Sequence, residues 1–133
     1  MTVRQLRLCI TATDYEEALR FFRDVLGMPE VGSYATPDGT PEGQVTILAA
    51  GMATLELASP GYAEYIDAVE VGRRVAGPVR VALEVDDSTA ATAQAAGAGA
   101  EVIAPPTRTP WNSVNARLAG PAGLQLTLFA GDD

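Results

Sequence analysis

The chain has 133 residues, a formal charge of −8, a sequence pI near 4.4, 47% hydrophobic and 20% charged residues, which suits a single globular domain with its own core and excludes a disordered or fibrous chain. The acidic balance excludes nucleic-acid binding, which draws most of its affinity from a basic field. Cys9 is the only cysteine and histidine is absent, which excludes an intrachain disulfide and a cysteine-based zinc cluster and points to a reducing, cytoplasmic setting; no apolar run approaches the roughly 18 residues of a membrane span, and no signal-peptide pattern precedes Asp14.

From Val3 to Thr11 the run VRQLRLCIT alternates, with Leu6, Leu8 and Ile10 on one face and Arg7, Cys9 and Thr11 on the other, which predicts a strand. Asp14 and Glu17 have capping-box spacing. Ala18, Leu19, Phe22, Val25 and Leu26 then recur at helical spacing before Gly27 and Pro29, so a helix is expected from about Asp14 to Leu26. An extended piece from about Glu30 to Ala35, a polar turn from Pro37 to Gly43, and the runs QVTILAA and ATLELAS parted by Gly51 and Met52 read as strands, the last two joined as a hairpin. Tyr62, Tyr65, Ile66 and Val69 indicate a short helix leading into a loop by Arg74.

A second round begins at Val79. VRVALEV alternates up to Val85, Asp86, Asp87 and Ser88 offer caps, and the alanine-rich run ATAQAA ends at Gly97. AEVIA then reads as a strand, APPTRTPW as a Pro-rich connection, and Ser113 to Leu118 and Leu124 to Phe129 as two strands around a turn of Gly120, Pro121, Ala122 and Gly123. Arg7 stands seven residues before Asp14, and Arg80 seven before Asp87. One arginine pair could coincide in any α+β chain; agreement of the whole element order argues for two similar halves.

The segments LRLCITATDYEEALRFFRDVLGMPEV, VRVALEVDD and GPAGLQLTLF resemble the two first strands and the last hairpin of the glyoxalase/bleomycin-resistance (vicinal oxygen chelate) superfamily. The resemblance covers nearly the whole chain, leaving mainly Tyr62 to Arg74 and the last few residues outside it. It implies an α+β fold of two βαβββ modules, about residues 1–60 and 78–130, joined by a connection at 61–77. These would form a cupped, barrel-like mixed sheet with helices outside and a ligand cavity between the modules. It also implies a homodimer, with the modules paired either within a chain or across subunits.

Metal-using members carry two histidines and two glutamates on the first and last strands of each module. By the resemblance, Arg7 and Arg80 occupy the histidine positions here, Glu56 keeps the first glutamate, and Thr127 replaces the second. A guanidinium is permanently protonated and has no lone pair for a metal, so no metal and no other cofactor is expected; a hard ion held by Glu56, Glu84 and water is the alternative.

Alternation sends Arg7, Arg80, Glu56 and Thr127 to the cavity face. Two readings follow. Either Glu56 neutralises the arginines and closes the old site, or an arginine fork binds a carboxylate, phosphate or enolate-like oxygen pair. Trp111 either stacks on a ligand or folds over the core edge, and Tyr62 and Tyr65 share that ambiguity. Arg117 reaches the cavity only if the Gly120 to Gly123 turn carries a bulge. Cys9 faces the cavity with no histidine or lysine to activate it.

The expected function is metal-independent binding of a small, anionic metabolite or drug, as in the bleomycin-resistance proteins that the chain resembles, with neither nucleic acid nor membrane as partner. The alternative is an isomerase- or lyase-type enzyme in which Glu56 is the general base and Arg7 and Arg80 stabilise an oxyanion. A metal-dependent lyase or dioxygenase is a third reading.

Overall fold

The computed structural model describes residues 1–25, 28–120 and 123–132. Its strands are β1 (Gln5–Thr11), β2 (Glu30–Ala35), β3 (Gln44–Ala50), β4 (Ala53–Ala58), β5 (Val79–Glu84), β6 (Glu101–Arg108), β7 (Ser113–Ala119) and β8 (Gln125–Gly131). Its α-helices are α1 (Tyr15–Leu19), α2 (Pro60–Glu70) and α3 (Ser88–Gly97). All eight strands form one open mixed sheet in the order β2-β3-β4-β1-β5-β8-β7-β6.

That order is a palindrome of two half-sheets. In the first half β1 runs parallel to β4, and in the second β5 runs parallel to β8. The halves meet where β1 pairs antiparallel with β5. Each half connects its first strand to the next through a capped helix: Asp14 accepts from Glu17 N–H at 3.1 Å and Asp87 accepts from Ala90 N–H at 3.0 Å, filling donors that a helix start leaves open.

Period-two alternation divides the sheet into an apolar and a polar face. On the apolar face, Leu48, Leu55 and Leu57 pack with Tyr15 and Leu19 of α1, and Leu8, Ile10 and Phe22 close in around them. The matching cluster in the second half joins Val85, Ala116, Leu118 and Leu128 to Ala91 of α3. Two helices therefore lie outside the sheet, one per half.

Three elements depart from the sequence reading. The first helix is α-helical only to Leu19 and continues as a π-helix from Arg20 to Val25; the expected stop at Leu26 and Gly27 lies outside the described residues, as do Pro121 and Ala122 of the last turn. The second departure is β6, which runs through Pro105 and Pro106 instead of stopping at Ala104. It is an edge strand with register shifts between Val102 and Thr107, where a missing N–H and a bulge are tolerated.

The third is α2. Ser59 caps it by accepting from Tyr62 N–H at 3.2 Å, and Pro60 opens its first turn, so it begins earlier than its apolar spacing suggests. Unlike α1 and α3, it crosses the polar face of the sheet. Its Tyr62, Ala63 and Ile66 pack on Val45 and Ala58. At its start Gly61 lies so close to the β2–β3 loop that an added Cβ would stand 3.2 Å from Thr40 Cγ2 and 3.3 Å from the Pro41 carbonyl oxygen. No helix among the described residues is long and apolar enough to cross a membrane.

A buried ion network fixes the far end of α2. Arg117 of β7, which is fully buried, donates to Asp67 Oδ1 at 2.7 Å and to Glu70 Oε1 at 2.9 Å. Asp67 Oδ2 also accepts from Arg74 at 2.7 Å and from the N–H groups of Val75 and Ala76 at 2.8 and 2.9 Å. Asn115 donates to Glu70 Oε2 at 2.9 Å. These are the lengths of strong charge-assisted bonds.

Burial alone would raise the pKa of Asp67, but the Ala76 and Val75 N–H groups with Arg117 and Arg74 outweigh it and hold the carboxyl at about 2. The folded state thus binds this proton less tightly than the unfolded chain, whose value is near 3.8. The contribution, about 2 kcal/mol, is present above pH 3.8 and disappears as the pH falls toward 2. Urea titrations should accordingly show the stability gap between the wild type and Asp67→Asn narrowing below pH 4. Arg117→Leu, which leaves the buried Glu70 with no cation and removes the partner of Asp67 Oδ1, should destabilise the fold by about 3–5 kcal/mol at neutral pH.

Candidate functional site

Sheet register gathers the polar side chains beneath α2. Directly paired residues share a face, so two rows can be traced across the strands. One runs through Ile47, Glu56, Cys9 and Arg80, and the other through Thr54, Arg7, Ala82, Thr127 and Arg117. Arg7 and Arg80, Cys9 and Ala82, and Glu56 and Thr127 occupy corresponding positions in the two halves, as the parallel pairings Cys9–Glu56 and Ala82–Thr127 show.

The corresponding side chains make corresponding contacts. Arg7 Nη1 lies 3.3 Å from Glu56 Oε1, while Arg80 Nη1 donates to Thr127 Oγ1 at 2.5 Å. The halves differ in charge: a hydroxyl stands in the second where the first has a carboxylate. Arg80 therefore leans on the first half's acid, with Nη2 3.9 Å from Glu56 Oε2. One carboxylate serves two guanidiniums. Arg7 also reaches Gln5 at 3.3 Å, lies over the Phe129 ring at 5.5 Å, and keeps a buried Nε with no hydrogen-bond partner.

A cavity of about 240 Å³ opens over this cluster. Arg7, Cys9, Glu56, Arg80 and Thr127 form its floor, and Ile66, Glu70 and Trp111 are among its walls. A second chamber of about 310 Å³ adjoins it and shares Arg7, Glu56, Ile66 and Trp111. Its own lining is Tyr34, Val45, Ile47 and Tyr62. Trp111 is partly exposed and stands 6.1 Å from Tyr65, which meets Tyr62 edge-on at 5.6 Å. Trp111 lines both chambers.

Arg117 requires a revised account. The pairing of β7 with β8 is continuous, and Arg117 stands opposite Thr127 without any bulge. It reaches the polar face by plain alternation, but Asp67 and Glu70 cover it completely, and it lines neither chamber. Its work is to seat α2. Sequence reasoning missed Ile66, Glu70, Asn115 and Phe129 as site neighbours. A signal for α2 was present: Ala63, Ile66, Asp67 and Glu70 fall at helical spacing on one stripe, and acids on an apolar stripe imply a buried cation opposite.

The donor set does not suit a divalent cation. Among the described residues no group of three or more His, Cys, Asp or Glu side chains is placed to hold a metal ion. Both oxygens of Glu56 face guanidiniums, and Glu84 instead lies 3.5 Å from Arg4. Burial works against the charge of Arg80, but Cys9, Glu70, Glu56 and Asp67 outweigh it and raise its pKa, so the site keeps its cation.

The Cys9 thiol is pushed up to about 12, chiefly by burial, with Arg80 opposing and Glu56 adding to the rise. At pH 8 its thiolate fraction falls on the order of a thousandfold below that of a free cysteine. Iodoacetamide followed by mass spectrometry should label Cys9 rapidly only after unfolding in urea; equal labelling of the folded protein would contradict this protonation state.

Comparison with known proteins agrees with this architecture. The chain is similar in structure to a hypothetical protein from Bacillus halodurans C-125, with a TM-score of 0.69, 16% identity, and coverage of 99% of this chain and 95% of that one. It is also similar to methylmalonyl-CoA epimerase from Mycobacterium tuberculosis, with a TM-score of 0.64, 18% identity, and coverage of 97% and 87%. A third similarity is to a mutant 4-hydroxymandelate synthase from Streptomyces coelicolor, with a TM-score of 0.66, 22% identity, and coverage of 97% and 38%. At such identities these similarities concern the fold alone. No curated protein sequence gives a significant match. The family model described as "Glyoxalase/Bleomycin resistance protein/Dioxygenase superfamily" matches residues 4–128, and the chain belongs to that superfamily.

Proposed function

We propose that this protein binds a small anionic molecule in the cavity over Arg7, Glu56, Arg80 and Thr127, without a metal and without turning it over. The observation that carries this reading is the contrast between two arginine clusters on one sheet face. Around Arg117, carboxylates close on the guanidinium at 2.7 and 2.9 Å and leave it no exposure. Around Glu56, two guanidiniums share one carboxylate at 3.3 and 3.9 Å beside an open cavity. The first pairs its guanidinium with two carboxylates at short range; the second retains one positive charge and slack geometry that an anion would tighten.

The enzymatic reading gives Glu56 the role of general base. Its geometry favours a different role. Each carboxylate oxygen is turned toward a cation, so the group acts as a spacer that keeps two like charges together on neighbouring strands.

The reading also takes the protein as a cytoplasmic homodimer. Light scattering on the purified chain tests the dimer.

Thermal-shift titration against a library of small organic anions tests the binding. A true ligand at a hundredfold excess over its Kd should stabilise the fold by about 2.7 kcal/mol, equally with and without EDTA, and mass spectrometry should recover it unchanged. A requirement for added divalent cation, or the appearance of product, would overturn the proposal. Glu56→Gln removes the competing negative charge and should tighten anion binding about tenfold, whereas a base essential for catalysis would show its loss in turnover.

A further inference from the structure

Resting on that reading, we infer that the ligand is an aryl carboxylate, with its carboxylate on the Arg7 guanidinium and its ring in the chamber formed by Tyr34, Val45, Ile47, Tyr62 and Trp111. Three observations meet in this assignment: charge, size and the chemistry of the walls.

Charge fixes the head group. Arg7, Arg80 and Glu56 sum to one positive charge, since Glu56 touches both guanidiniums. Of the other carboxylates beside the cavity, Glu70 is held by Arg117 and Asn115, and Glu84 lies 3.5 Å from Arg4, which also reaches the exposed Asp86 at 3.5 Å. A monoanion balances the cluster of Arg7, Arg80 and Glu56, whereas a dianion such as a phosphate would leave one negative charge over. Arg7 is the accessible fork of the pair, because its side chain is 24% exposed against 9% for Arg80. Arg80 is held back by Thr127.

Size and walls fix the body. Arg7 and Glu56 line both chambers, so a group held on Arg7 can extend into the adjoining space of about 310 Å³. An apolar space of about 150 Å³ already accommodates benzene. Three of the four side chains that only this second chamber contributes, Val45, Ile47 and Tyr62, carry apolar surface, and the fourth is the aromatic ring of Tyr34. The aromatic row Tyr62, Tyr65 and Trp111 is already braced ring against ring, and such rings favour an aromatic guest in tilted or edge-on contact. Glu56 and the ring-lined walls together disfavour a long polar chain.

Trp111 is the only tryptophan and lines both chambers, so its fluorescence reports occupancy directly. Four probes separate the parts of the claim: 3-phenylpropanoate, 3-phenylpropanamide, hexanoate and acetate. The acid should give saturable quenching or a spectral shift with at least tenfold higher affinity than the amide. Hexanoate should bind several-fold more weakly than the aryl acid, and acetate should leave the emission unchanged. Arg7→Met should erase the preference for acid over amide. Tyr34→Ala, at an exposed edge-strand position, should weaken the aryl acid by a larger factor than it weakens hexanoate; an equal loss for both would overturn the ring assignment.

Equal binding of acid and amide would overturn the inference while leaving the cavity a binding site. Absence of binding by all four probes, where the anion library yields a ligand of another class, overturns the aryl carboxylate assignment alone. If the library also yields nothing, the proposed function falls with it.

Discussion

The antiparallel pairing of β1 with β5 is the constraint on which the rest of the molecule depends. It joins the two half-sheets, and its register sets Cys9 opposite Arg80 and Arg7 opposite Ala82. Two permanently charged side chains are thereby aimed at one side of two neighbouring strands. Like charges brought together away from water repel strongly, so the seam is tolerable only with an anion between them. Glu56 is that anion, delivered by β4 through its parallel pairing with β1. Because the second half places Thr127 at the corresponding position, compensation is partial. The residual charge at the centre of the sheet is a consequence of a near-symmetric fold carrying an asymmetric pair of residues.

The connection between the halves turns that seam into an enclosure. Without α2, the polar face would be an open surface and its arginines would be well solvated. Asp67 and Glu70 take up Arg117, while Tyr62, Ala63 and Ile66 bury the apolar part of the same face. One helix thus performs two tasks with two adjacent sets of side chains: it closes over β7 with charge and over β3 and β4 with hydrophobic contact. The space left between these anchors is where Arg7, Arg80 and Glu56 lie. The cavity exists because α2 carries no acid opposite Arg7; a third carboxylate there would produce a second closed network like that of Arg117.

Much of this was legible in the chain. Alternation of Arg7 against Leu6 and Leu8, and of Arg80 against Val79 and Val81, assigns their faces without any knowledge of the partner strands. The capped helices announced themselves through Asp14 and Asp87. What was hidden depends on long-range partners. Pro105 and Pro106 look like a loop until the strand is known to sit at an edge, where only one neighbour needs its hydrogen bonds. The position of α2 on the polar face is invisible in its apolar spacing, because that spacing tells which stripe is buried and not which surface buries it. Arg117 illustrates the same limit. Simple alternation against Ala116 and Leu118 places it on the polar face without a bulge, yet only the structure shows Asp67 and Glu70 above it.

The contrast between the whole molecule and its centre bears on how a ligand would be captured. A net charge of −8 repels an anion at long range, but at physiological ionic strength such fields decay over roughly 8 Å. Inside the cavity the interaction of a carboxylate with Arg7 is less screened than on the outer surface, because Ile66, Phe129 and Trp111 stand among its walls. Attraction is therefore confined to molecules that have already entered. On the proposed reading entry has to be favoured by something other than charge, and the exposed aromatic side chains of Tyr34 and Trp111 would provide that apolar contact. Selection would then proceed in the reverse of the order usual for a basic surface: recognition of the apolar body comes first, and recognition of the charge second.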